Sequence, residues 1–403
     1  MRCTMRNPAT QSYSPLYFLA SLGAGGLVVT FFMWLYFWVP HPDQPVPVFE
    51  DIARALTTAG LLKTATIYGA LAGIALFAVL NLKALLWNLR ELARFRKTAA
   101  YETLRNSNAE TQLAAMPLAL AMSVNMGFIL GMVFVPGLWS VVEYLFPLAL
   151  AVFLLIGVAT LRLLGRFLGR ALGKGGFDCA ANTSFAQVLP AFALAMAGVG
   201  MSAPAALSAN ATTAGIALIL ASFFLVAATL WAAIAMVLGL RAMLEHGANA
   251  ETAPTLLIGI PLITVLGILV MRLNHGLHVH FGGHGTPADT LMLTTRLVAA
   301  QVAFALFGLA VLARQGYAAR FIFGRETSVG SYALVCPGVA MSVMLHFWIN
   351  KGLVGAGIIA KYGVAYWGLS GVAIALQLAM IALVFVLNRR HFRTAPAGAV
   401  PAE

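Results

Sequence analysis

Charged residues are scarce in this sequence. Asp, Glu, Lys and Arg together make up 9% of the 403 residues, while 61% are hydrophobic. A soluble globular domain carries about 25% charged residues. No water-soluble fold could hide so much apolar surface, so lipid must surround most of the chain. The composition therefore predicts an all-α, polytopic membrane protein and argues against a soluble enzyme.

Cysteines and catalytic motifs are also scarce. Cys3, Cys179 and Cys336 are too far apart for a metal knuckle or a disulfide framework. The sequence contains no nucleophile elbow, phosphate-binding loop, dinucleotide fingerprint or zinc-protease helix. We therefore expect no enzymatic activity. The net charge of +12 comes from basic residues in short segments between apolar runs, so no nucleic-acid partner is expected.

The sequence does contain apolar runs that match the roughly 20 residues needed to cross a bilayer. Ten are found, at residues 16–38, 64–88, 114–136, 139–162, 185–204, 212–240, 254–274, 290–313, 330–350 and 365–388. They form one transmembrane domain, residues 16–388. It lies between an N-terminal segment, residues 1–15, and a C-terminal tail, residues 389–403.

Lys and Arg in the connecting segments predict the orientation of the spans. Basic residues follow the second, fourth, eighth and tenth spans, for example Arg96, Arg166, Arg320 and Arg390. Positive residues are retained in the cytoplasm. With an even number of spans, both termini are therefore expected to be cytoplasmic (N-in, C-in), in a multi-pass protein of a bacterial-type inner membrane.

Prolines alternate along the spans. Pro117, Pro190, Pro261 and Pro337 lie in the third, fifth, seventh and ninth spans, and the first span carries a glycine-rich run. Of the even-numbered spans only the fourth has an internal proline, close to its beginning. Proline removes a backbone hydrogen bond and is tolerated where a neighbour or a cavity satisfies the freed group. This predicts five helical hairpins, with kinked odd-numbered helices around a central pore and even-numbered helices against lipid.

Three short runs resemble the tellurite-resistance and dicarboxylate transporter family, which includes the plant slow anion channels. They are Leu22-Gly23-Ala24-Gly25-Gly26, Ala253-Pro254-Thr255-Leu256 followed by Pro261, and Ser331-Tyr332-Ala333-Leu334-Val335-Cys336-Pro337. The resemblance covers residues 16–388 and is mainly architectural. It implies a pore for small anions along the odd-numbered helices, usually in a homotrimer.

The resemblance also implies where the pore closes. In gated members a phenylalanine directly before the proline of the ninth helix plugs the pore, and here that position is Cys336. Either another bulky residue, such as Phe192 or Met341, closes the pore, or the chain has lost channel function.

Small polar residues and helix breaks on the odd-numbered spans are the candidates for the pore lining. Backbone N–H groups exposed at such breaks attract an anion without trapping it as a full charge would. The candidate lining residues are Gly25, Ser123, Asn125, Pro190, Pro261, Thr264, Pro337, Gly338 and Ser342. At the exoplasmic mouth we expect Arg272, Arg296, His275 and His346, although the two arginines could instead extend towards the lipid headgroups.

Histidines cluster near the end of the seventh span, at His275, His278, His280 and His284, with His346 expected at a similar depth. Their spacing defines no metal site, so no cofactor is expected. Neutral imidazoles nevertheless bind haem iron and metals well, and His275, His278 and His346 are the candidate ligands.

Three functions therefore remain open. The first is a channel or uniporter for small anions. The second is a non-transporting subunit of a larger respiratory or redox membrane complex, holding haem or metal through His275 and His346. The third is a carrier for neutral or sulfur-containing small molecules.

Overall fold

The computed structural model describes residues 13–392. Within that range there is no β-strand, and ten helices are long and apolar enough to cross a membrane. They are α1 Pro15–Trp38, α2 Leu61–Phe95, α3 Asn108–Phe134, α4 Leu138–Gly173, α5 Phe185–Leu207, α6 Ala211–His246, α7 Ala253–Phe281, α8 Pro287–Arg314, α9 Val329–Val354 and α10 Val364–Phe392. The predicted all-α, ten-span architecture is confirmed. Cys3 and most of both predicted terminal segments lie outside the described residues.

Several helices are longer than the apolar runs. The 36 residues of α6 correspond to about 54 Å, well over the roughly 30 Å of a hydrocarbon core. Such a helix tilts or projects from the bilayer. Helix α7 continues to Phe281 instead of ending at residue 274, so the histidine-rich segment is mostly helical. Two short helices, Phe49–Thr58 and Ala99–Arg105, lie in connecting segments where none was predicted.

The odd-numbered helices form the inside of the bundle. Between 56% and 94% of the most apolar stretch of each odd-numbered helix is buried, against 17% to 44% for each even-numbered helix. The two ranges do not overlap. The prediction that even-numbered helices surround odd-numbered ones is therefore confirmed.

Each inner helix begins with a 3₁₀ segment that then becomes an α-helix. These segments are Pro15–Tyr17, Asn108–Ala114, Phe185–Val188, Ala253–Ile258 and Val329–Leu334. Proline removes the N–H that would bond the carbonyl four residues earlier. For the four prolines, that carbonyl lies in the 3₁₀ segment, on Leu113, Ala186, Leu257 and Ala333. The structure thus differs from the expected mid-span kinks, because the break lies where the α-helical part begins.

The outer helices supply donors to carbonyls close to these breaks. Asn81 Nδ2 on α2 donates to the carbonyl of Ser21 on α1 (2.7 Å), and Trp231 Nε1 on α6 donates to that of Gln187 on α5 (2.9 Å). On α8, Gln301 Nε2 donates to the carbonyl of Ile260 on α7 (3.1 Å). Side chains on a neighbouring helix thus satisfy backbone groups that lipid cannot, and these bonds link three of the outer helices, α2, α6 and α8, to their inner partners.

Asn81 gives a test of this arrangement. It is fully buried and also accepts a hydrogen bond from Ser123 Oγ on α3 (2.9 Å). We expect Asn81→Leu to lower the free energy of unfolding by about 1–2 kcal/mol, because interhelical hydrogen bonds in membranes contribute about that much. Thermal unfolding in detergent measures the change. Leu82→Ala, on the exposed side of the same helix, is the control, and an equal loss in both variants would contradict the proposed tie.

Candidate functional site

A central cavity of about 210 Å³ lies among the inner helices. At one end it is bounded by residues in the first turns of the inner α-helices, including Gly23, Phe192, Pro261 and Cys336. At the other end it reaches Val46 and Trp139, which lie in or next to connecting segments. None of its lining residues belongs to the five 3₁₀ segments. The cavity is therefore blind towards the end of the bundle where those segments lie, which we call the basic end because most Lys and Arg residues are there.

Most of the lining is aliphatic, methionine or phenylalanine. The polar exceptions are Asn125, Trp139, Thr264, Arg272 and Cys336. Thr264 has its hydroxyl engaged, because it donates to the carbonyl of Ala340 on α9 (3.1 Å) and accepts from Gln301. Asn125 has only a long contact from Nδ2 to the sulfur of Met196 (3.6 Å). The lining is thus mostly apolar, and Asn125 is a polar side chain in it that makes only one weak contact.

Arg272 is the one charged residue among those that line this cavity. Its Nη1 donates to the carbonyl of Val199 on α5 (2.9 Å), whereas a guanidinium has five N–H donors. Within residues 13–392 it forms no ion pair. An unpaired charge inside the membrane is unfavourable by several kcal/mol or more. The arrangement therefore leaves Arg272 with donors and charge available to an anion in the cavity.

Further positive charge lies at the same end of the bundle as Arg272. Burial, together with the charges of Lys351 and Lys63, lowers the pKa of Lys361, which lies in the segment between α9 and α10. The Lys351 ammonium also lies 5.7 Å from the centre of the Tyr36 ring. The three lysines share one electrostatic field, and such a field raises the local concentration of anions.

The predicted site residues fall into two groups. Phe192, Asn125, Pro261, Thr264, Arg272 and Cys336 line the cavity. The others do not, namely Gly25, Ser123, Pro190, Pro337, Gly338, Met341, Ser342, Arg296, His275, His278 and His346.

Several of this second group hold helices together instead. Ser342 Oγ donates to the carbonyl of Ala373 on α10 (2.8 Å), and Ser123 bonds to Asn81 on α2. A Cβ on Gly338 would lie 2.5 Å from Met380 Sδ, so this glycine permits close packing against α10. These residues face neighbouring helices rather than the cavity.

The histidines and Arg296 are dispersed. His275 is exposed, and Arg296 is exposed on the outer helix α8. His346 is fully buried, with its ring centre 6.3 Å from that of Phe37 and 5.9 Å from that of Trp38. His278 pairs with the carbonyl of Gly283 (2.8 Å).

No group of three or more His, Cys, Asp or Glu in the described part of the chain is placed to hold a metal. His275 and His346 show no contact with each other. The haem or metal alternative stays a prediction from the sequence alone.

The sequence did not predict one side of the cavity. Helix α4, an outer helix, lines one side through Val142, Phe146, Ala149 and Phe153. These residues share a helical face, but α4 is apolar on every side between Glu143 and Arg162, so the sequence offers no contrast that marks this face. The glycine at position 200, where a Cβ would collide with the Phe153 ring, shows how closely α5 and α4 approach.

No protein-family model and no curated protein matches this chain.

Proposed function

We propose that this protein transports small anions across a membrane, as a channel or uniporter, through the central cavity. The proposal rests on Arg272. Its guanidinium lies on the cavity wall, bonds to one carbonyl and forms no ion pair in the described structure. An anion in the cavity would supply the missing counter-charge. A neutral substrate would leave the guanidinium unpaired, so the hypothesis of a carrier for neutral molecules has less support.

The size and chemistry of the cavity support small inorganic anions. A volume of about 210 Å³ has room for such an ion and several waters, since a water occupies about 30 Å³ in the liquid. No Asp or Glu is found among the lining residues. Proton-coupled carriers use ionisable groups inside the membrane as relays. The cavity therefore favours passive transport over proton-coupled transport.

The charge distribution supports an orientation for this cavity. By the positive-inside rule the basic end and both termini lie in the cytoplasm. The blind end of the cavity is then cytoplasmic, and Arg272, Lys63, Lys351 and Lys361 lie towards the exoplasmic side. A homotrimer or a larger membrane complex, as the family resemblance implies, stays a prediction.

Efflux from liposomes tests the function directly. Purified protein is reconstituted into liposomes loaded with potassium chloride, potassium nitrate or potassium gluconate, and valinomycin releases the potassium so that anion movement limits the rate. We expect chloride and nitrate efflux above the rate of protein-free liposomes and a much smaller increase for gluconate, because the mostly apolar lining offers few hydrogen-bond partners for its five hydroxyl groups.

The blind end of the cavity makes a second protein sample necessary. A closed wild-type protein would give a small flux, so the Phe192→Ala variant, which removes a ring from that end, is measured in parallel. If neither protein raises efflux above that of protein-free liposomes, the protein is not an anion transporter.

A further inference from the structure

A second cavity, of about 240 Å³, lies at the basic end of the bundle. It is formed where the end of α2, the beginning of α3 and the last turns of α4 meet the short helix Ala99–Arg105. Its lining residues are Leu92, Arg96, Tyr101, Leu113, Met116, Leu163 and Arg166. None of them lines the central cavity, so this is a separate site.

Two arginines from different helices converge on this second cavity. Arg96 caps the end of α2 and Arg166 lies on α4, and both are exposed. Neither forms an ion pair within residues 13–392, although their neighbours do. Glu91 is paired with Arg94 (2.8 Å) and Glu110 with Arg170 (3.1 Å). Arg96 and Arg166 thus remain available to an external anion.

The chemistry of the cavity rim suits a phosphate group. The planar guanidinium presents paired N–H donors that match phosphate oxygens, often in a bidentate geometry. Tyr101 lines the same cavity, and its hydroxyl, which bonds to no other described residue, is a further donor. A phosphate held here would receive hydrogen bonds from three side chains on three different elements.

Leucine and methionine side chains form the floor of the cavity, which lies beside the lipid-facing surface of the bundle, and this position favours a lipid over a free ion. Leu92 and Leu113 are buried, while Met116 and Leu163 are half-buried. Leu163 belongs to an outer helix of which only a third of the most apolar stretch is buried, so the floor continues towards the lipid-facing surface. Little apolar surface is accessible within the cavity itself, so a bound phospholipid would place its phosphate group in the cavity and its acyl chains in the adjacent bilayer. A free phosphate has no such anchor.

We propose that the cavity between Arg96 and Arg166 binds an anionic phospholipid, with its phosphate on the two arginines and Tyr101 and its acyl chains in the bilayer beside Leu163. Basic pockets between transmembrane helices on the cytoplasmic side are suited to such headgroups. The site is independent of the transport function and would hold α2, α3 and α4 together at their basic ends.

Native mass spectrometry of the detergent-solubilised protein tests this site. Bound lipid is quantified during titration with phosphatidylglycerol or with zwitterionic phosphatidylcholine. We expect the wild type to prefer phosphatidylglycerol and the double variant Arg96→Gln/Arg166→Gln to bind it about thirtyfold more weakly, since each basic residue near the headgroup contributes about a factor of five. Both arginines are exposed, so the double variant is expected to fold.

The matched control is Lys97→Gln/Arg162→Gln, which removes the same charge from exposed positions next to the cavity but outside its lining. It is expected to retain most of the affinity. An equal loss in both double variants, or no loss in either, would overturn the proposal. Inorganic phosphate is the third arm, and displacement of phosphatidylglycerol by millimolar phosphate would show an ion site instead of a lipid site.

Discussion

Arg272→Gln is expected to reduce chloride efflux from liposomes by about ten- to hundredfold. Hydrogen bonds to a charged group contribute about 1.5–3 kcal/mol, and each 1.4 kcal/mol is a factor of ten. The glutamine keeps a polar side chain on the cavity wall but removes the only charge that the lining carries. The preference for anions over cations, measured from reversal potentials in planar bilayers, should fall with the flux. Arg272→Lys restores the charge and should recover a large part of both.

Arg296→Gln is the matched control for this prediction. Both arginines lie in the half of the bundle away from the basic end, but Arg296 is exposed on α8 and does not line the cavity. Its loss should leave the flux unchanged. If the two variants behaved alike, the effect of Arg272 would be a general surface-charge effect and the proposed anion site would be wrong.

The stability of Arg272→Gln separates a functional role from a structural one. Arg272 bonds to a single carbonyl, and a buried charge without a partner destabilises the fold. Removing it should leave the melting temperature unchanged or raise it. A variant that loses flux while keeping its stability would show that this charge serves transport, whereas a large loss of stability would point to a structural role.

The arrangement of the helices followed from the sequence because proline has an unavoidable backbone effect. The N–H missing at Pro117, Pro190, Pro261 and Pro337 requires a break in the hydrogen-bond ladder, and such breaks are best tolerated where neighbouring helices satisfy the freed groups. Pro147, exposed near the beginning of the outer helix α4, is the exception. The alternation of the other four prolines therefore indicated which helices are internal. The depth of each break was less predictable, because it depends on the preceding residues, which adopt the 3₁₀ form.

The sequence could not predict whether an individual residue faces the cavity or a neighbouring helix. Asn125 and Ser123 lie two positions apart on α3, yet Asn125 lines the cavity while Ser123 bonds to α2. In a helix that is apolar on every side, a small polar residue indicates only that some partner is near. Whether the partner is a cavity or a neighbouring helix depends on the rotation of the helix about its axis, and the periodicity of these helices carries no information on that rotation.

The depth of Arg272 in the bundle was also not predicted from the sequence. The sequence placed it at a mouth because the apolar run ended at residue 274, followed by glycine and histidine. The helix in fact continues to Phe281, about 14 Å beyond Arg272 along its axis. The arginine consequently lies inside the cavity wall, where its charge has a much greater effect than at a solvated entrance.

Phe192→Ala is expected to raise chloride efflux about tenfold or more, which corresponds to a barrier lowered by about 1.4 kcal/mol. Phe192 is buried, 3% exposed, and lines the cavity in the first turn of the α-helical part of α5. Apolar constrictions close a pore by excluding water, and we propose that the Phe192 ring does this at the blind end. Phe192→Tyr keeps the ring and should leave the flux near that of the wild type.

Met341→Ala provides the matched control, because Met341 was an equal candidate for the closure but does not line the cavity. Its flux should equal that of the wild type, and an increase as large as that of Phe192→Ala would show a general loosening of the bundle.

Cys336 lines the same end of the cavity from α9, so adding Cys336→Phe to Phe192→Ala should close the path again. If a phenylalanine on either helix closes the path, then the total volume of the side chains at the blind end determines closure, and not one particular residue. Flux that stayed high in the double variant would mean that Phe192 does not act by blocking the path.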